Sequence, residues 1–285
     1  MIVSAYCPSH ISGYFRRMGG KDRSVTGSTG AGIVIDPGIA VTVSPATRTT
    51  VSIHQNMGRG RIRQIADRSP PLESALCRVG VDARVITTCT LPVGAGFGLS
   101  ASALIATLTA INHLEDLGMG PHEIAKIAHE TEVEHRTGLG DVAACQGGGR
   151  VVRAGAGIDG DIHRYHDISG PISAVSFGPI HTPSVISSAA QMARVEEAYP
   201  VLTPTTVDEF FQASRAFALK SGLVTPEIMR VLNACAAEGV LCGMTMLGNG
   251  VFAYGKKARS VLRPFGHVFQ CRMATEGARI IGVNP

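Results

Sequence analysis

Aromatic residues make up only 5% of the chain, tryptophan is absent, and the lysines and arginines are scattered apart from the short cluster Arg59, Arg61 and Arg63. Nucleic-acid binding calls for a dense basic face interleaved with aromatics, so no nucleic-acid partner is expected. The mild positive balance, +4 beside 10 histidines, suits acidic small molecules instead. Long apolar runs are missing too: no stretch of about 18 uninterrupted apolar residues occurs, and the N-terminal "MIVSAYCPSH" lacks a basic segment followed by an apolar one. No membrane partner is expected, and a cytoplasmic location is. The seven cysteines (Cys7, Cys77, Cys89, Cys145, Cys235, Cys242 and Cys271) contain no CxxC pair, which argues against a disulfide scaffold or a zinc knuckle and for reduced thiols.

At 285 residues and 45% apolar content the chain can bury a sizeable core. Short strand-like runs dominate the first ninety residues ("MIVSAY", "AGIVID", "IAVTVS", "TTVSIH", "VDARVITTCTL") and predict a sheet. "ASALIATLTAINHLEDLG" then reads as a buried helix stopped by Gly118, and Gly120 and Pro121 open a second helix, "HEIAKIAHETEVEH". A strand "GRVVRAG" precedes a Gly/Asp-rich turn at 155–161. After residue 172 come a strand, three helices ("ISSAAQMARVEEAY", "VDEFFQASRAFALKSG", "TPEIMRVLNACAAEG") and closing strands at "GVFAYG", "HVFQCRM" and "ARIIGV". Helices interleaved with antiparallel strands predict an α+β class with two domains, 1–168 and 169–285.

Chemistry concentrates first in "PVGAGFGLSASA", Pro92 to Ala103. Gly94, Gly96 and Gly98 allow positive φ and close backbone approach, and the helix behind them points its N-terminus at the same space. Free N–H groups and the helix dipole favour phosphate there, while Ser100 and Ser102 offer hydroxyls to a phosphate or a metal. The two standard phosphate loops are absent, since no GxxxxGK[ST] lysine and no acidic residue after a βαβ pattern is found. A glycine-rich turn before a helix equally serves packing and capping.

The second constellation is "HEIAKIAHETEVEHRTGLGDVAACQGG". Glu123, Lys126, Glu130 and Glu134 recur every three or four residues and form a polar, solvated stripe. Glu132 falls on another face with Ala125 and Ala128 or His129, where a carboxylate is costly unless it meets a cation or metal. It is the expected metal ligand, with capping or pairing to an arginine as the plain alternative. Asp141 follows Gly138 and Gly140 before a probable helix, where a simple N-cap would also account for it.

These segments resemble the galactokinase, homoserine kinase, mevalonate kinase and phosphomevalonate kinase (GHMP) superfamily. Its nucleotide motif P-x-G-x-G-L-G-S-S-A is matched by Pro92, Gly94, Gly96, Gly98, Ser100 and Ala101, with Phe97 and Leu99 as departures. The resemblance implies an ATP-binding loop formed by Pro92, Gly94, Ala95, Gly96, Phe97, Gly98, Leu99, Ser100, Ala101 and Ser102. It also implies Mg2+ contacted by Ser100 or Ser102 with Glu132, and Asp141 as catalytic proton acceptor ahead of Gly147 and Gly148. The implied architecture is the two-domain GHMP fold, N-terminal part like ribosomal protein S5 domain 2 and C-terminal part ferredoxin-like. "CPSHISGYF" is similar to the first family motif but has His10 where many members carry Arg. "GSTGAGIVID", "AHETEVEHRTGLGDVAA" and "GMTMLGNGVFAYG" are most similar to the archaeal branch of the family that phosphorylates pantoate in coenzyme A biosynthesis.

Pantoate is a hydroxy acid anion, so its site should offer a cation and hydroxyl donors. Arg153 can present a bidentate fork, Ser28 and His129 add hydrogen bonds, and Thr182 or Ser184 closes the pocket. Mevalonate- or homoserine-type kinases and a non-catalytic nucleotide-binding protein are the competing readings. A homodimer is compatible with the sequence.

Overall fold

The computed structural model describes all 285 residues. Two long strands, β1 (Ile2–Met18) and β2 (Gly27–Pro45), form an antiparallel ribbon that carries the rest of the fold. Both alternate apolar and small residues for far longer than one sheet width, and irregularities at Cys7/Ser9 and Ser12/Tyr14 bend β1. Next come β3 (Thr50–Asn56), β4 (Ile62–Ala66), α1 (Pro70–Arg78) and β5 (Ala83–Cys89). Then follow α2 (Leu99–Leu114), α3 (Pro121–His135), α4 (Asp141–Cys145), β6 (Arg150–Arg153) and β7 (Ile162–Tyr165). The second part contains β8 (Ile172–Pro179), α5 (Thr182–Ser187), α6 (Ala189–Ala198), α7 (Val207–Lys220) and α8 (Pro226–Ala237). It ends with β9 (Cys242–Met244), β10 (Gly248–Tyr254), α9 (Ala258–Leu262), β11 (Phe269–Met273) and β12 (Arg279–Asn284).

The twelve strands are hydrogen-bonded into one mixed sheet with the path β4-β3-β5-β2-β11-β8-β10-β9. β1 with β12, and β6 with β7, branch from β2. All pairings are antiparallel except β3 with β5. The three helices read after residue 172 are α6, α7 and α8, and the turn at 155–161 joins β6 to β7. Several elements escape the sequence reading: α1, whose Pro70 and Pro71 begin a helix rather than end a strand, the edge strand β4, and the short α5, β9 and α9; so does the parallel pairing of β3 with β5.

Helix α2 runs through the centre, with twelve of its sixteen residues buried. A helix apolar on nearly all sides must be enclosed, and β1, β2, α1, α3 and α4 enclose it. One cluster of 64 buried apolar residues extends from Val3 to Cys271 and unites both parts of the chain. No helix is long and apolar enough to cross a membrane.

Candidate functional site

The loop 91–98 leads from β5 into α2, and Gly94, Gly96 and Gly98 adopt φ of 77°, 80° and 60°. Any other residue would pay roughly 1 kcal/mol or more at each of these left-handed positions. The alternation of glycines therefore lets the loop curl tightly onto α2, whose first turn has no side-chain cap. Its orphan N–H groups and the positive end of its dipole open onto a cavity of about 430 Å3. Gly94, Gly96, Phe97, Gly98, Leu99 and Ser100 all stand on the cavity wall. Pro92, Ala95 and Ala101 lie behind it as support. Ala95 packs against Gly248 of β10 so closely that a Cβ at 248 would fall 2.1 Å from its carbonyl carbon.

The two serines separate cleanly. Ser100 faces the cavity. Ser102 is fully buried, and its hydroxyl donates to the carbonyls of Pro8 at 2.7 Å and Gly98 at 3.1 Å. It fastens α2 to β1 and leaves no free donor for a metal or phosphate.

The stripe on α3 is arranged as its periodicity predicts. Ala125, Ala128, His129 and Glu132 are buried, while Glu130 and Glu134 pair with Arg78 at the surface. Glu132 is 1% exposed and faces the cavity. Its Oε1 accepts from Thr137 Oγ1 at 3.3 Å, and its Oε2 has no partner. Burial pushes this carboxyl up to about 8, and the charge of Asp141 adds to the effect against a smaller pull from the Ser100 and Thr137 hydroxyls. Such an oxygen suits a cation. No group of three or more His, Cys, Asp or Glu side chains gathers anywhere in the chain. A Mg2+ ion, which keeps several waters and substrate oxygens, fits the donor set of Glu132 and Ser100.

Asp141, the first residue of α4, stands on the cavity wall and accepts a 2.6 Å hydrogen bond from His10 Nδ1. His10 is fully buried, its own N–H donates to Phe97 O at 3.1 Å, and its Nε2 has no partner. Burial lowers the imidazole's pKa despite Asp141, so the ring is neutral and its proton is assigned to Nδ1. For Asp141 burial acts upward, but the hydrogen bond from His10 and the charge of Arg153 outweigh it and hold the carboxyl below its usual range.

Arg153, on β6, is 2% exposed and stands behind Gly140 and Ser28, both of which line the cavity. A Cβ at Gly140 would fall 2.6 Å from Ser28 Oγ and 2.7 Å from Arg153 Nε, so the missing side chain is what admits them. Arg153 Nη2 reaches Ser28 Oγ at 3.5 Å, and Nε and Nη1 are unpartnered. A buried guanidinium with two idle nitrogens is costly unless an anion meets it.

The remaining expectations divide. Thr182 lines the cavity together with Ile180, His181 and Pro183. Ser184 lies off the wall and hydrogen-bonds His181 Nδ1 at 2.7 Å. His129 is 1% exposed and also off the wall; its Nε2 holds Thr26 O at 2.8 Å, at the entrance to the strand that carries Ser28. The sequence reading did not select His10, Thr137, Met246 or Leu247. His10 had a signal, its place in the first motif, but nothing local links it to a residue 131 positions away. The cavity wall also includes the apolar Ile39, Ile53, Leu72, Ala103 and Leu104 and the hydroxyl residues Ser69 and Thr87.

Residues 63–149 match the family described as GHMP kinases N terminal domain. The pantoate kinase of Methanospirillum hungatei is 45% identical over 279 residues, covering 98% of this chain and 96% of that protein. The pantoate kinase of Methanocaldococcus jannaschii is 26% identical over 258 residues, 88% of this chain and 92% of that one. Among solved structures, one described as a phosphotransferase related to the CoA biosynthesis pathway superposes with a TM-score of 0.80 at 24% identity, covering 98% of each chain. The α+β GHMP architecture expected from the motifs is thus the one present, and with 45% identity along nearly its whole length the chain belongs to the GHMP kinases, in the branch that contains the pantoate kinases.

Proposed function

We propose that the protein transfers the γ-phosphoryl group of ATP to the primary hydroxyl of pantoate, forming 4-phosphopantoate for coenzyme A biosynthesis. The observation that carries this reading is the position of Asp141 between two complementary walls. On one side is the glycine loop with the uncapped N-terminus of α2; on the other is the buried, half-partnered Arg153 with Ser28. The first suits a triphosphate. The second suits a small carboxylate, which leaves the acceptor hydroxyl facing Asp141.

In this reading the apolar part of the cavity wall takes the nucleobase and the loop wraps the phosphates. Glu132 and Ser100 would hold a Mg2+ ion, which when bound would supply the neutralisation of triphosphate charge that phosphoryl transfer requires. Arg153 and Ser28 bind the pantoate carboxylate, His129 braces the strand entrance beside Ser28, and Thr182 closes the mouth. Asp141 accepts the hydroxyl proton, and His10 fixes the orientation of its carboxylate. The low basicity of Asp141 suits a group that mainly orients the hydroxyl, because a loose transition state asks the protein for positioning and charge stabilisation. Residues 1–168 and 169–285 are read as the N- and C-terminal GHMP units, supported by the packing of α7, α8 and α9 on β8–β10. The cytoplasm is the proposed location.

ADP release measured with pantoate, mevalonate, homoserine and galactose tests the assignment. Turnover should be confined to pantoate or strongly favour it. Activity only with another acceptor would overturn the substrate, and nucleotide binding without transfer to any alcohol would favour a sensor.

A further inference from the structure

We propose that Arg164, on β7, is a positioning residue for phosphoryl transfer: its guanidinium clamps the carbonyl end of α4 and so fixes the short helix whose first residue is Asp141. The inference rests on the reading of Asp141 as the proton acceptor.

Helix α4 has five residues, too few for its own backbone bonds to hold a direction. Its last carbonyls have no partner within the helix. Arg164 supplies one: Nη1 donates to Ala144 O at 2.9 Å and Gly148 O at 3.0 Å, and Nη2 donates to Ala143 O at 3.0 Å. The guanidinium forms no ion pair with any carboxylate. Its half-buried charge is committed to one helix end and the turn that follows.

The surroundings make the clamp specific. A Cβ at Gly147 would fall 3.1 Å from Arg164 Cζ, so the glycine run after α4 leaves room for the guanidinium. Ile162, on the same face of β7 as Arg164, packs against a small separate cluster of Val34, Ala144, Val151 and Ala274 beneath the helix. The turn beyond is closed by backbone bonds from Gly149 N to Ala274 O, Val34 N to Gly149 O and Ala274 N to Val34 O. At the other end of α4, Arg153 of the same β6–β7 hairpin presses on Gly140. One hairpin therefore grips α4 at both ends. Neither arginine is on the cavity wall: Arg153 stands behind the wall residues Gly140 and Ser28, whereas Arg164 acts through the helix, with its charge also felt at His10. Freed at its carbonyl end, α4 can tilt, and the Asp141 carboxylate moves with it.

Steady-state kinetics of Arg164→Gln and Arg164→Lys, each also made in an Asp141→Asn background, test the inference. Arg164→Gln should lower kcat roughly 30- to 100-fold, the scale of a misplacement of about 1 Å. KM for ATP and pantoate should stay within about threefold. Arg164→Lys, which can satisfy only part of the carbonyl set, should fall between; if the glutamine variant fails to fold, the lysine variant carries the test. In the Asp141→Asn background neither substitution should reduce the residual rate further. Wild-type kcat in a folded Arg164 variant would overturn the proposal, as would the same proportional loss in both backgrounds, the mark of a general structural role. Wild-type turnover by Asp141→Asn alone would remove the proton-acceptor reading and this inference with it, and that failure is visible without any change at Arg164.

Discussion

At the scale of single residues, the site depends on buried polar groups whose partners are missing from the protein itself: Glu132 Oε2, Arg153 Nε and Arg153 Nη1. Asp141→Asn preserves shape while removing the proposed proton acceptor, so kcat should fall by roughly 10²- to 10⁴-fold, with nucleotide affinity, read by calorimetry, little changed. Glu132 links the site to pH. Its folded-state pKa is raised to about 8 by burial and by Asp141. The neutral form is favoured in the fold, so its stabilisation is complete below the unfolded carboxyl value of 4.5 and is lost as pH rises toward 8. Without nucleotide or metal, Glu132→Gln should therefore gain thermal stability over the native protein progressively from pH 5 to pH 8. Parallel melting curves across that range would contradict the burial argument. Periodicity alone placed Glu132 inward and left Glu130 and Glu134 at the surface, because a helix face is a local property of α3. The His10–Asp141 bond had no such local signature: one partner lies in β1 and the other opens α4.

At the scale of elements, α2 and α7 show two ways to begin a helix. Thr206 caps α7 in a reciprocal box, its hydroxyl accepting from Glu209 N at 3.2 Å while Glu209 accepts from Thr206 N. Thr206→Ala should cost about 1 kcal/mol, a drop of roughly 2–4 °C in Tm for a chain of this size, with kinetics unchanged. Helix α2 has Gly98 in the left-handed region and no side-chain cap, which leaves its first N–H groups for a ligand. The contrast is readable from sequence, since T-x-x-E marks a closed helix start and glycines before an apolar run mark an open one. Elements that depend on distant neighbours were less readable. α1 follows a strand-rich region and opens on two prolines, and β4 is a short, exposed edge. β4 has no periodicity to identify it, whereas α1 is amphipathic, with Leu72, Ala75 and Leu76 buried, but is only nine residues long.

At the scale of the whole molecule, the glycine loop before α2 is completed by a segment about 150 residues later in the chain. Gly248, at the start of β10, packs against Ala95, and Met246 and Leu247 complete the cavity wall. Gly248→Ala would force a Cβ to within 2.1 Å of the Ala95 carbonyl carbon. Overpacking of this kind costs about 1–3 kcal/mol of stability, and because it displaces the loop the KM for ATP should rise roughly 10-fold, the effect of losing about 1.4 kcal/mol of binding. An unchanged KM would show that the two glycine segments do not support one another.

The sequence by itself determined the features that depend on near neighbours: the glycine loop before an apolar helix, the inward carboxylate on α3, the aspartate after its glycine turn, and the α+β class. Each follows from backbone sterics or from a helical or strand repeat within about fifteen residues. Tertiary structure decided which polar groups meet. It satisfied Ser102 with the carbonyls of Pro8 and Gly98 and left Ser100 on the wall, it set His129 against Thr26 O, and it brought His10 and Arg153 to Asp141. Whether a hydroxyl or a guanidinium is spent inside the fold or kept for a ligand depends on donors and acceptors far away in the chain, and only the closed sheet brings those within hydrogen-bonding distance.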